Sequence, residues 1–97
     1  MFHSNEHYFY EWETIREELM GLSRTKDIKK VELMRKGIEL IVSILDELVE
    51  ATPLNYKERI SFIESNMERH VSLVQLDELF KETKKKIARL RAQNRNG

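Results

Sequence analysis

Seven cationic side chains, Lys81, Lys84, Lys85, Lys86, Arg89, Arg91 and Arg95, crowd the end of the chain. At about 100° per residue, Lys84, Arg91 and Arg95 come within about 40° of one another on a helix, with Lys81 alongside. That makes a basic ridge beside an apolar seam. Such a ridge can hold phosphates, and Lys81, Lys84, Arg91 and Arg95 are the residues a nucleic-acid-binding function would use. Cations near a helix C-terminus also complement its dipole and solvate its exposed face, which is the plainer account. No aromatic is interleaved with these charges and no helix-turn-helix or other reader is evident, so the plainer account is favoured. An acidic protein partner, or the acidic start of this same chain, would satisfy the ridge equally well.

Tyr8, Phe9, Tyr10 and Trp12 are half of the aromatic residues and lie within five positions. One short helix cannot bury all four. Tyr8 and Trp12 fall on its apolar seam, while Phe9 and Tyr10 point elsewhere. Aromatic side chains are frequent anchors of protein interfaces, so Phe9 and Trp12 are expected to contact a partner.

Other constellations carry little. His3, His7 and Glu11 are spaced four apart, but a metal site normally draws ligands from several elements with hydrogen-bonding groups behind them. The carboxylate pairs Glu13/Glu17, Asp46/Glu50 and Glu64/Glu68 share helix faces. Each sits among polar neighbours on a solvent face, where nothing would separate their pKa values for acid–base work. Glu-x-x-His, a phosphate loop and a dinucleotide-binding glycine motif are all missing from the sequence. Neither a catalytic residue nor a cofactor or metal site is therefore expected, and the expectation is a protein that is not an enzyme. With no cysteine there is no disulfide framework and no thiolate chemistry, which makes a reducing cytoplasm the default compartment. The start of the sequence lacks the basic and apolar regions of a signal peptide. No window offers the run of uncharged apolar residues that an integral membrane helix needs.

What must position these residues is a set of amphipathic helices. Charged residues make up 35% of the 97 and hydrophobic residues 40%, with a single proline and three glycines, a mixture that suits long helices and not a sheet. Tyr8, Trp12, Ile15, Leu19 and Leu22 recur at helical spacing, which predicts a helix over residues 5–21, closed by Gly21. Thr25, with Asp27 behind it, is expected to cap a second helix over 25–51. That helix carries Ile28, Val31, Met34, Ile38, Ile41, Leu45 and Leu48 on one stripe, and it is expected to be the central one. Leu33, Leu40, Val42, Ile44 and Val49 widen this stripe beyond a two-stranded seam, so Leu33 and Val42 join Phe9 and Trp12 as expected partner-binding residues. Gly37 beside the seam suggests a close helix crossing.

Pro53 ends the second helix and opens a third over 54–69, with Tyr56, Ile60, Ile63 and Met67 inward. Ser72 with Gln75 reads as a capping box, placing a break at His70–Ser72 and a fourth helix over 73–93 with a frayed tail, 94–97. The alternative is one continuous helix from 54 to 93.

The expected architecture is thus a single all-α domain, an up-down bundle of four helices, or three if the last two are continuous, that completes its core by dimerisation. Charge is uneven along it: net −4 over residues 1–22 and +4 over 73–97, with the middle balanced. The leading functional expectation is a non-enzymatic helical interaction protein, an adaptor, chaperone or small regulator, that docks a partner helix or pairs with itself. A small dimeric nucleic-acid-binding regulator is the second.

Overall fold

In the computed structural model, which describes residues 6–96 and the side chains as far as Asn94, four helices follow one another: α1 (Glu6–Gly21), α2 (Lys29–Glu47), α3 (Tyr56–Ser65) and α4 (His70–Asn96). The described residues contain no strand. The helices alternate in direction. Tyr8 at the start of α1 reaches Glu47 at the end of α2, and Glu18 near the end of α1 pairs with Lys29 at the start of α2. Likewise Glu6 pairs with Arg91 late in α4, and Arg59 early in α3 pairs with Glu82. The expected all-α bundle of four separate helices is what the chain forms.

The core runs along the inner faces of α1, α2 and α4. Trp12, Ile15 and Leu19 meet Leu33, Met34, Ile38, Ile41, Ile44 and Leu45, and both sets meet Leu73, Leu76, Leu79, Phe80 and Ile87. From α3, Ile63 is fully buried and Tyr56 and Ile60 pack partly, as does Met67 in the turn that follows. The hub is α4 and not α2 as the apolar stripe suggested: α4 touches α1, α2, α3 and the turn after α2. Its 27 residues make it about 40 Å long, enough to run the length of both flanking helices. The ten-residue α3 packs along α4.

Helix ends differ from the sequence expectation where side chains found other work. Thr25 does not cap α2. Its hydroxyl donates to the Leu22 carbonyl at 2.8 Å, and its oxygen accepts the Asp27 N–H at 3.3 Å, which holds residues 22–28 in turns. The Asp27 carboxylate instead accepts the Lys29 N–H at 3.0 Å, so α2 starts four residues late. It also stops early, at Glu47, where Leu48 leaves helical geometry and Val49–Ala51 form a 3-10 turn that buries Ala51. Asn55 takes a left-handed φ of 57°, which asparagine tolerates better than most residues, and this delays α3 to Tyr56.

The break between α3 and α4 falls at residues 66–69, ahead of the expected His70–Ser72. Asn66 closes α3, donating from its side-chain amide to the Phe62 carbonyl at 2.9 Å. Ser72 lies inside α4, wholly buried with its hydroxyl unpartnered, so the expected capping box is not formed. Residues 94–96, expected to fray, continue α4.

Candidate interaction surface

The seam between α1 and α4 is aromatic. The Trp12 indole stacks on the Phe80 ring, centroids 4.6 Å apart and planes 6° from parallel, and Phe9 meets Phe80 edge-on at 6.1 Å. Trp12 fits because α2 presents Gly37 there. A Cβ on Gly37 would stand 2.5 Å from Trp12 Cζ3 and 2.9 Å from Leu76 Cδ2, inside van der Waals contact. The close crossing expected at Gly37 is therefore made by an aromatic ring lodged against bare backbone.

The polar edge of that ring is anchored by Asp77. One carboxylate oxygen accepts the Trp12 Nε1–H at 3.1 Å, and the other lies 3.6 Å from Arg16 and 3.2 Å from Lys81. An acid in the basic helix thus ties three side chains together. Sequence reasoning passed over it, because an isolated Asp four residues before a lysine looks like an ordinary surface pair.

Above this floor, on the side of α1 and α4 away from α2, run two adjoining clefts of about 220 and 200 Å³. They share Phe9, Glu13 and Lys84, so they form one groove pinched where the Lys84 ammonium sits 5.9 Å over the Phe9 ring. The α1 wall carries Glu6, Tyr10 and Glu13, and the α4 wall Lys81, Lys84, Ala88 and Arg91. The α1 wall is mainly acidic and the α4 wall mainly basic; Arg16 on α1 and Asp77 on α4 are the exceptions, and they face each other at 3.6 Å. At about 100° per residue, Met20 and Glu17 share the outward arc of Glu13, and Val74 lies on the stripe of Lys81 and Ala88 at heptad spacing. Tyr10, Met20 and Val74 are 67%, 56% and 47% exposed.

Of the four expected partner-binding residues, Trp12 and Leu33 are buried in the core, 2% and 6% exposed. Phe9 is half-buried in the groove. Val42 is 39% exposed but lies half a turn round α2 from Leu33, away from the other three. The structure therefore brings Phe9 and Trp12 together and disperses the other two. Tyr10, which the sequence reading did not select, lines the groove instead, and Met20 lies on the same arc of α1 beyond it.

Among the basic residues, Lys81 is paired with Asp77, Lys84 covers Phe9 and Arg91 lies 3.8 Å from Glu6. The Arg95 side chain falls outside the described residues, as does His3 of the His3/His7/Glu11 set. The three carboxylate pairs are all exposed. Among the described residues no three potential ligands gather into a metal-holding group, and no helix is long and apolar enough to cross a membrane.

Away from the groove, polar contacts lock the turn before α3 onto α4. Arg59 binds both oxygens of Glu82 at 2.8 and 2.6 Å and also donates to the Leu54 carbonyl, while Lys86 donates to the Thr52 carbonyl at 3.0 Å. The Arg59 hydrogen bonds hold the Glu82 carboxyl below the usual glutamate range against a smaller opposing effect of burial, and the same bonds raise Arg59. The Tyr8 phenol is raised chiefly by the charge of Glu47 beside it, and Tyr56 chiefly by burial.

Fold and groove together define a small four-helix bundle that displays an aromatic-floored, oppositely charged groove. The chain belongs to the YpoC-like protein family, which it matches over residues 2–95. No curated protein and no solved structure gives a significant match to it.

Proposed function

We propose that this chain is a non-enzymatic protein–protein interaction module, an adaptor or small regulator, and that the α1–α4 groove is its contact surface. One observation carries the reading: exposed Tyr10 lines a groove floored by Phe9 and walled by charges of both signs, and exposed Met20 and Val74 continue the same arcs of α1 and α4 beyond its end. Apolar and aromatic anchors give an interface its affinity, while the charged walls set orientation and select the partner. The wider groove on the other side of α1, toward α2, about 480 Å³, has Ile15, Leu33 and Leu40 among its lining but no aromatic residue, and its rim is Glu11, Thr14, Glu18, Lys36, Glu39 and Ser43. The absence of cysteine fits work in the reducing cytoplasm.

The alternative reading, phosphate binding by Lys81, Lys84, Arg91 and Arg95, has no observation in its favour. Asp77, Glu6 and Glu13 stand among those cations and would oppose a phosphate backbone.

The test is site-specific photo-crosslinking in cells of the native host. A photoreactive residue at Tyr10 or Met20 is expected to give a discrete covalent adduct with one protein, identified by mass spectrometry. The same residue at exposed Glu39 on α2 or Glu58 on α3 is expected to give none. Equal adducts at all four positions, or none at any, would remove the groove as a contact surface.

A further inference from the structure

We infer that the occupant of the α1–α4 groove is a second copy of this chain, docked face to face about a two-fold axis that runs parallel to the helices. The inference rests on the groove being the contact surface and goes further by naming the partner and its orientation.

The argument is one of height and charge. Along the seam, α4 descends about one residue for each residue α1 climbs. Glu6 lies by Arg91, Phe9 by Lys84, Trp12 by Asp77 and Phe80, and Leu19 shares a small cavity with Leu73. A two-fold axis parallel to the helices keeps every residue at its own height but exchanges left for right. It therefore lays α1 of one copy on α4 of the other. The acidic arc of Glu6, Glu13 and Glu17 then faces Arg91, Lys84 and Lys81 of the second copy.

The exposed apolar residues fall into register under the same operation. Met20, one residue beyond the Leu19–Leu73 level, stands two residues, about 3 Å, from the level of Val74, within reach of a methionine side chain, and Tyr10, which borders Ala88 in its own chain, faces Ala88 of the second copy. The paired helices also run antiparallel, which suits their dipoles. The other face-to-face two-fold axis, perpendicular to the helices, sets acidic α1 on acidic α1 and basic α4 on basic α4. Like charges placed in that way select against it.

The α1–α4 face is about 24 Å long, from 16 residues of α1, and about 20 Å wide for two helices side by side. Pairing it buries roughly 1,000 Å² in total, at the low end for a specific interface, so association is weak and concentration-dependent.

Sedimentation equilibrium of the full chain, from low micromolar to several hundred micromolar, tests the inference. Wild type is expected to move from monomer toward dimer across that range. Glu13→Lys alone and Lys84→Glu alone are each expected to weaken self-association at least tenfold, because each puts like charges opposite one another twice in the dimer. An equal mixture of the two variants is expected to regain wild-type association, since each variant supplies the charge the other lacks. Met20→Asp is expected to weaken association without touching either charged pair. Circular dichroism confirms that each variant stays folded.

A wild-type chain that stays monomeric at the highest concentration, or single charge variants that dimerise as wild type does, overturns the inference. A monomeric chain whose Tyr10 position still crosslinks to a different protein leaves the groove reading standing and removes only the second copy. A monomeric chain with no crosslink removes both.

Discussion

Replacing Gly37 by alanine should destabilise this protein, although the same change in an exposed helix stabilises. In a solvent-facing helix interior, alanine is favoured over glycine by about 1 kcal/mol. At Gly37 the new methyl carbon would stand 2.5 Å from Trp12 Cζ3 and 2.9 Å from Leu76 Cδ2. Carbon atoms pack best at roughly 3.5–4.0 Å, so the indole must move by about 1 Å. It has nowhere to go without loss. Phe80 is stacked on it at 4.6 Å, and Asp77 holds its Nε1–H at 3.1 Å.

Overpacking of this kind costs about 1–3 kcal/mol, and a strained or broken hydrogen bond to a charged acceptor adds roughly 1.5. Set against the propensity gain, the net expectation is a loss of about 2–3 kcal/mol. With a urea slope near 1.5 kcal/mol per molar, the unfolding midpoint should fall by roughly 1–2 M. The single tryptophan, Trp12, gives the fluorescence signal for the measurement. Gly21 provides the contrast, because nothing lies within 4 Å of a Cβ there and its φ is not positive. Gly21→Ala is expected to be neutral or to stabilise by up to about 1 kcal/mol. If Gly37→Ala is as stable as wild type, the indole is not lodged against α2 and the account of the core is wrong.

Thr83 is fully buried with its hydroxyl unpartnered, so the isosteric Thr83→Val is expected to raise stability by about 1 kcal/mol in the same urea assay; a loss would mean that the hydroxyl is bonded. The depressed Glu82 pKa means the folded state holds its charge to lower pH than the unfolded chain. Its stability contribution is present above the ordinary value of 4.5 and is lost as pH falls through the lowered folded value. Because the pair is partly solvent-exposed its worth is under about 1 kcal/mol, and Arg59→Leu is expected to flatten that part of the acid unfolding curve. For Tyr8 and Tyr56 the sign is opposite. Both phenols should ionise above pH 10 in the ultraviolet phenolate titration, and Glu47→Gln should bring Tyr8 back toward it. Since Tyr56 stays neutral longer when folded, its contribution is intact below pH 10 and lost as pH rises through the raised value, seen as alkaline softening of the melt.

The helices themselves were legible because burial of an apolar stripe repeats every three or four residues and leaves its mark in one dimension. Trp12, Ile15, Leu19, Met34, Ile38, Ile41, Leu45 and Ile63 all stood on expected seams, and all are buried. Local competition among caps was not legible. Thr25, Asp27 and Ser72 each suit a cap, and which one is used depends on turn and packing geometry that a short window cannot weigh. Val42 and Leu33 looked alike as surplus apolar residues on a wide stripe, yet one is half-exposed and the other sealed, because α1 covers only one flank of α2.

By itself the sequence left the number of helices at three or four and determined the helical class, most of the core and the opposite charges at the two ends of the chain. Each of these is set by residue type and periodicity, which act over a few turns. Only the tertiary structure decided that α4 is the hub, that Asp77 anchors Trp12 across 65 positions, and that the acidic and basic stretches become facing walls of one groove. Those are relations between helices, fixed by how three apolar faces share a single core, and a linear pattern holds the faces but not the way they meet.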